Sequence, residues 1–266
     1  MKLNYSNQSL QSEFTDSSVG VWVEAVATDV DGTLSISRDD YRLDIEAINA
    51  IRDLESNGIK VIFISGNSLP LTVGLARYCG ASGPVVAENG CIVYYKGKII
   101  PVVRESAKSI ADEVARVFKE YIEPSWQNPY RQFDYAFRIK REYKSRVFEV
   151  CERISRYIES RGYDSQVKVM YSGFALHIIP RSGGKSVGLK VACELANVKL
   201  ENVVGVGDSV TDIELLQTVG IPVAVANADL ELKKIAKYIT SKPSGKGFAE
   251  LAKIILTNPQ QLLKQQ

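Results

Sequence analysis

The sequence predicts a parallel-sheet α/β core that carries an inserted α+β unit. Three observations predict it. Short apolar, β-branched runs alternate with helical periods over residues 21–90, and the same alternation returns over residues 181–266. Between them, residues 91–180 break the pattern with mostly antiparallel strands around two helices. Charge divides the chain at the same places. Residues 91–180 hold 16 Lys and Arg against 11 Asp and Glu, a surplus of +5, and the remainder holds 17 against 20.

In chain order, residues 1–20 are rich in Ser, Asn and Gln and read as a polar tail, without the basic and apolar regions of a secretion signal. Val21 to Thr28 is an apolar strand running into the turn DVDGT. Leu43, Ala47, Ile48, Ile51 and Leu54 give residues 39–57 a helical period, and Gly58 stands where a helix would be capped. Ile59 to Ile64 is a second buried strand, stopped by SGNS. A helix over 71–79 then leads through Gly80 to a short strand over 84–87. The middle section reads as two short strands around Lys96-Gly97, a helix over 106–121, a strand over 133–140, a helix over 143–161 and a strand pair around Gly173. After it come a helix over 185–196, a strand over 203–206, the sequence GDSVTD, a helix near 213–218 and a strand over 221–226.

Composition excludes several classes of function. The 266 residues are 45% hydrophobic, enough for one large or two modest cores, and a formal charge of +2 is no footprint of a nucleic-acid binder. No run approaches the roughly 18 apolar residues of a membrane span. Cys79, Cys91, Cys151 and Cys193 show no CxxC or metal-ligand spacing, which fits reduced thiols of a cytoplasmic protein. With His177 as the single histidine, neither a Ser-His-Asp triad nor a multi-histidine zinc site is expected. His177 reads as a partly buried residue satisfied by backbone, or as a contact at the junction of the two units. Trp22 and Trp126 read as packing.

Chemistry concentrates at four strand ends. Asp29 and Asp31, two apart on an extended chain, share one side and reach one metal, with Gly32 allowing a sharp exit and the Thr33 hydroxyl beside them. The same DxDG pattern also occurs in calcium loops and in plain turns. Ser65, Gly66 and Asn67 offer a hydroxyl, an amide and loop N–H groups to a phosphoryl oxygen, although Ser and Asn are also ordinary helix caps. Lys185 opens a helix after two glycines. The run GGKS does not complete a P-loop, because Ile179 stands where that motif needs glycine. Asp208 and Asp212 again place two acids at a strand end, where capping by Asp208 and a favourable first-turn charge at Asp212 are the structural alternatives. Capping does not account for the ordered set of four, and in an open α/β sheet such strand ends converge on one crevice.

In this order, DVDGTL, ISGNS, GGKS and GDSVTD resemble the four motifs of the haloacid dehalogenase superfamily phosphatases, across the whole chain after the tail. The α+β insert between the second and third motifs is similar to that family's type-two cap, B subtype, on a Rossmann-like core. The run SGPVVAENG over 82–90 looks most like the archaeal phosphoglycolate phosphatases of that group. GDSVTD departs from the GDGxND of related sugar phosphatases, which leaves the metal-binding acids in place but puts the subfamily in question.

The resemblance implies a Mg2+-dependent phosphatase. Asp29 would be the nucleophile and Asp31 the acid and then the base. Ser65, Gly66, Asn67 and Lys185 would bind the phosphoryl group. Asp29, Asp31 through its backbone carbonyl, and Asp208 would hold the metal, with Asp212 as a ligand through water or as an orienting group. The implied partner is a small phosphorylated metabolite, foremost 2-phosphoglycolate, with no nucleic acid and no membrane, and a homodimer is left open. Arg104, Arg131, Arg138 and Arg181 are the cations offered to a substrate carboxylate. A sugar-phosphate phosphatase, a phosphomannomutase-like enzyme and a catalytically silent phosphate-binding module are the alternatives.

Overall fold

A computed structural model describes residues 22–263, so the polar tail read over residues 1–20 lies outside the described residues. In chain order the elements are β1 (Ala25–Thr28), α1 (Ile45–Ser56), β2 (Lys60–Ile64), α2 (Leu69–Cys79), β3 (Val85–Ala87), β4 (Ile92–Tyr95) and β5 (Lys98–Pro101). There follow α3 (Lys108–Val117), β6 (Ile122–Pro124), β7 (Tyr135–Ile139), α4 (Val147–Ser160), β8 (Val167–Tyr171) and β9 (Leu176–Pro180). The last group is α5 (Lys185–Ala196), β10 (Val203–Gly207), α6 (Ile213–Leu216), β11 (Ile221–Ala224), α7 (Leu230–Ile235), β12 (Tyr238–Ile239) and α8 (Ser244–Thr257).

Two sheets organise the chain. The larger has eight strands in the order β12-β11-β10-β1-β2-β3-β4-β5, parallel from β12 to β3 and antiparallel beyond. Its central strands are apolar on both faces because helices cover both sides: Val26, Val61, Ile62, Phe63, Val204 and Val223 are fully buried. The smaller sheet has the order β6-β7-β9-β8 and is antiparallel throughout. With α3 and α4 it encloses a separate core that includes Val114, Phe137, Ile154 and Ile178.

The hairpin around Lys96-Gly97 differs from its reading as part of the inserted unit. It extends the large sheet, because Ile92 and Val93 stay fully buried as β4 pairs with β3. The short reversal between β3 and β4 is made by Glu88, Asn89 and Gly90, all at positive φ (51°, 53° and 89°). Only the glycine adopts this conformation at no steric cost. The other two are held by their side chains: the buried Glu88 carboxylate accepts from the backbone N–H groups of Gln132, Phe133 and Asp134, and Asn89 donates to Asp134 Oδ2 at 2.9 Å.

Candidate active site

The sheet order explains why distant motifs meet. β10, β1 and β2 are parallel neighbours, so the segments after their C-terminal ends, Asp208, Asp29 to Thr33 and Ser65 to Ser68, lie along one edge. α5 brings Lys185 to the same edge in its first turn, after two glycines that leave no room for side chains. A Cβ on Gly183 would lie 2.6 Å from the Cys91 sulfur, and one on Gly184 2.4 Å from Glu214 Oε2.

Lys185 is buried and donates from Nζ to Asp29 Oδ1 and to Asp212 Oδ1, each at 2.6 Å. Burial works against its charge, but Asp212 and Asp29 more than offset that and raise its pKa. Asp212 is fully buried, and its other oxygen accepts from the backbone N–H of Asp208 and of Ser209 at 3.0 Å. Ser209 and Asp212 thus close a capping box, so the capping role that the sequence offered to Asp208 falls to Ser209. Asp208 points elsewhere: Thr33 donates to its Oδ1 at 3.3 Å and Arg38 to its Oδ2. Arg38 also reaches the Asp208 carbonyl and Asp229 Oδ1.

One oxygen from each of Asp29, Asp208 and Asp212 lies within 4.8 Å of the other two. Burial is the largest influence on both Asp29 and Asp208, followed by charged neighbours. Asp29 is raised well above the ordinary carboxylate range, and Asp208 is pushed up to about 6. Such hard oxygen donors, crowded and short of positive charge, fit a small divalent cation. Gly32 contributes space: at φ 88° it turns so close that a Cβ there would lie 2.4 Å from Asp208 Oδ2.

Asp31 stands beside this cluster, its side chain outside it. Its Oδ2 accepts from Asn67 Nδ2 at 2.8 Å, and burial raises it above the ordinary carboxylate range against the pull of that bond. Asn67 also donates to the Ser65 hydroxyl at 3.0 Å. Among the described residues, Asp29 Oδ2 and Asp31 Oδ1 accept no hydrogen bond, so each acid is held through one oxygen alone. Gly66 sits under Asn89, which a Cβ would approach to 3.0 Å, and its carbonyl accepts from Arg131 at 2.8 Å.

The smaller layer meets the motif loops through residues that carry little sequence signal. Gln127 bonds Asn67 and Ser68. Arg131 is buried and pairs with Asp134 at 3.0 Å. His177 is buried as well, and its Nδ1 meets the Asp134 carboxylate rather than backbone. Although burial opposes its ionisation, His177 and Arg131 hold Asp134 below the ordinary carboxylate range. Of the other arginines offered to a substrate, Arg138 is largely exposed and pairs with Glu123, and Arg104 and Arg181 are exposed. Arg38, Asp229, Gln127 and Asn89 stand in none of the four motifs of the sequence. Their residue types are common on surfaces, and each acts across a long gap in the chain.

A family model described as haloacid dehalogenase-like hydrolase matches residues 26–146 and 149–251. The chain is 42% identical over 238 residues to a phosphoglycolate phosphatase of Staphylothermus marinus, covering 89% of this chain and 99% of that protein. It is likewise 42% identical over 234 residues to phosphoglycolate phosphatase 1 of Saccharolobus solfataricus, covering 88% of this chain and 96% of that one. Among solved structures, Thermoplasma acidophilum 0175 superposes with a TM-score of 0.75 at 25% identity, over 87% of this chain and 97% of the other. A haloacid dehalogenase-like hydrolase from Bacteroides thetaiotaomicron shares the fold, with a TM-score of 0.69 at 19% identity over 88% and 99% of the two chains.

Proposed function

The chain belongs to the haloacid dehalogenase-like hydrolases, and on that premise we propose that it is a phosphatase that hydrolyses 2-phosphoglycolate through an aspartyl-phosphate on Asp29. One observation carries the mechanism: Asp29 is held by Lys185 through Oδ1 alone, two residues before an Asp31 held by Asn67 through Oδ2 alone. Asp29 Oδ2 attacks phosphorus as the ester P–O bond breaks, and Asp31 gives its proton to the departing alkoxide. Asp31 then takes a proton from water, the water oxygen attacks phosphorus, and the P–Oδ2 bond breaks to release phosphate and restore Asp29. The raised pKa of Asp31 lies in the direction a proton donor needs. Lys185 and Ser65 hold the non-bridging oxygens, contacts of a kind whose removal costs roughly 10²–10³ in rate.

Asp29, Asp208 and the backbone carbonyl of Asp31 would hold Mg2+, whose charge lets a carboxylate approach a phosphate dianion. Asp212 orients rather than ligates in this reading: it is fully buried, with one oxygen on the buried Lys185 and the other on two backbone N–H groups, whereas the partners of Asp208 are the Thr33 hydroxyl and a half-buried Arg38 side chain that can give way to a metal. The smaller layer, with its surplus of positive charge, would act as a cap that selects the leaving group.

The substrate reading is drawn from relatives bearing the name phosphoglycolate phosphatase. A sugar phosphate is the second reading, and one observation favours it: Arg131, the offered cation nearest the motif loops, is already committed to Asp134 and to the Gly66 carbonyl. Phosphate release from phosphoglycolate and from the monophosphate of ethylene glycol decides between them. At least a tenfold advantage in kcat/KM for the carboxylate, about 1.4 kcal/mol, is expected. Equal turnover of the two would transfer the assignment to sugar phosphates, and failure to release phosphate from phosphoglycolate would refute the first reading.

A further inference from the structure

Gln127 lies on the loop between β6 and β7 of the smaller layer, yet both ends of its amide are used by the loop after β2. The backbone N–H of Ser68 donates to Gln127 Oε1 at 2.7 Å, and Gln127 Nε2 donates to Asn67 Oδ1 at 2.7 Å. The polarity of this chain starts from a group that cannot be reversed. A backbone N–H only donates, so Gln127 must present its oxygen to Ser68 and its nitrogen to Asn67. Asn67 must then turn its own oxygen toward Gln127 and its nitrogen toward Asp31 Oδ2 and the Ser65 hydroxyl. Without Gln127, Asn67 Oδ1 loses its donor, and the amide is held only from its nitrogen side, by Asp31 Oδ2 and the Ser65 hydroxyl.

The loop that presents Gln127 is itself fixed. Asn128 exchanges two hydrogen bonds with the Ala136 backbone of β7, at 2.9 and 3.0 Å, and Arg131 clamps the Gly66 carbonyl. Gln127 is nine-tenths buried, so no water competes freely for its amide.

We propose that Gln127 is a positioning residue for Asp31, acting through Asn67, so that docking of the smaller layer sets the direction in which Asp31 delivers its proton. The inference deepens the phosphatase reading and rests on it. Its test compares two substrates of nearly equal shape whose leaving groups differ in acidity, phenyl phosphate and 4-nitrophenyl phosphate. The quantity measured is kcat/KM, which reports the steps up to leaving-group departure. Gln127→Met should lower kcat/KM about tenfold for phenyl phosphate and less than threefold for 4-nitrophenyl phosphate, whose leaving group barely needs a proton. Asp31→Asn should show the same gradation more strongly. Gln127→Ser, which leaves room for water, repeats the measurement if the Met variant melts appreciably lower than the parent. Equal loss on both substrates means that Gln127 only docks the layer, and no loss means that it does nothing for Asp31; either overturns the proposal. If Asp31→Asn itself shows no gradation, the acid role of Asp31 fails, whatever Gln127 does.

Discussion

Replacing Asp208 by asparagine should stabilise the metal-free protein while removing its activity. In the folded chain, burial and the neighbouring Asp212 carboxylate push Asp208 up to about 6 from an ordinary 3.8, even with Arg38 on its Oδ2. That interval is about 3 kcal/mol of preference for the protonated form. Because the folded pKa lies above the unfolded one, this stability is fully present below pH 3.8 and is lost as pH rises through about 6. At pH 7.5 the metal-free parent therefore carries the whole cost of an ionised Asp208, and Asp208→Asn does not. For a chain of this size ~1 kcal/mol moves Tm by ~2–4 °C, so the variant should melt roughly 6–12 °C higher in a chelator at pH 7.5. The gap should narrow as pH falls toward 4. Added Mg2+ should raise the Tm of the parent but not of the variant, and phosphate release by the variant should be lost. The assay is thermal unfolding followed by circular dichroism, with chelator or with Mg2+, at several pH values. A variant that melts at or below the parent in chelator at pH 7.5 would show that the contacts of Arg38 and Thr33 with the carboxylate outweigh its crowding.

Asp29→Asn should abolish turnover with an unchanged far-UV spectrum, because an amide is a poor nucleophile and Lys185 keeps Asp212 as a partner; a folded variant with near-parental activity would refute the nucleophile assignment. Gly90→Ala should cost at least about 2 kcal/mol in urea unfolding, since φ is 89° and the new Cβ would lie 1.8 Å from the Gly184 carbonyl oxygen. Glu88→Ala should cost on the order of 3 kcal/mol, because the N–H groups of Gln132, Phe133 and Asp134 lose their acceptor in a buried place; a loss below 0.5 kcal/mol would mean that water replaces the carboxylate.

The strand ends and their acids were legible because each motif is local. An apolar β-branched run followed by DxD, or by Ser-Gly-Asn, states both the element and what stands at its end. The bounds of α5, Lys185–Ala196, are the ones the sequence predicts, because glycines precede it and its apolar period is clean. Less of the C-terminal part was legible. α8 begins Ser-Gly-Lys-Gly, a poor opening for a helix, and its glycines are there for packing: a Cβ on Gly245 would meet the Asp44 side chain at 2.3 Å, and one on Gly247 the Lys242 carbonyl oxygen at 2.3 Å. The acid cluster was visible residue by residue, but its ties were not. Arg38 reaches Asp208 across 170 residues and Gln127 reaches Asn67 across 60, and nothing in an isolated Arg or Gln marks it as anything but a surface residue.

The close contact of Gly90 with Gly184 bears on how the chain folds. The large sheet is assembled from two pieces of sequence, and its first piece ends in β5 at Pro101 while the second begins at Lys185. About eighty residues lie between. If they were still unfolded, holding the ends of that stretch together would cost roughly 4 kcal/mol of loop-closure entropy. Once the smaller layer has formed its own core, the same stretch behaves as a rigid clip whose two ends already lie side by side, and that cost largely disappears. An assembly order follows, in which the interior segment collapses first and the pairing of β1 with β10 comes late. Substitutions in the smaller core, Ile154→Val for example, should then slow folding more than they speed unfolding, and the reverse partition would place the large sheet first.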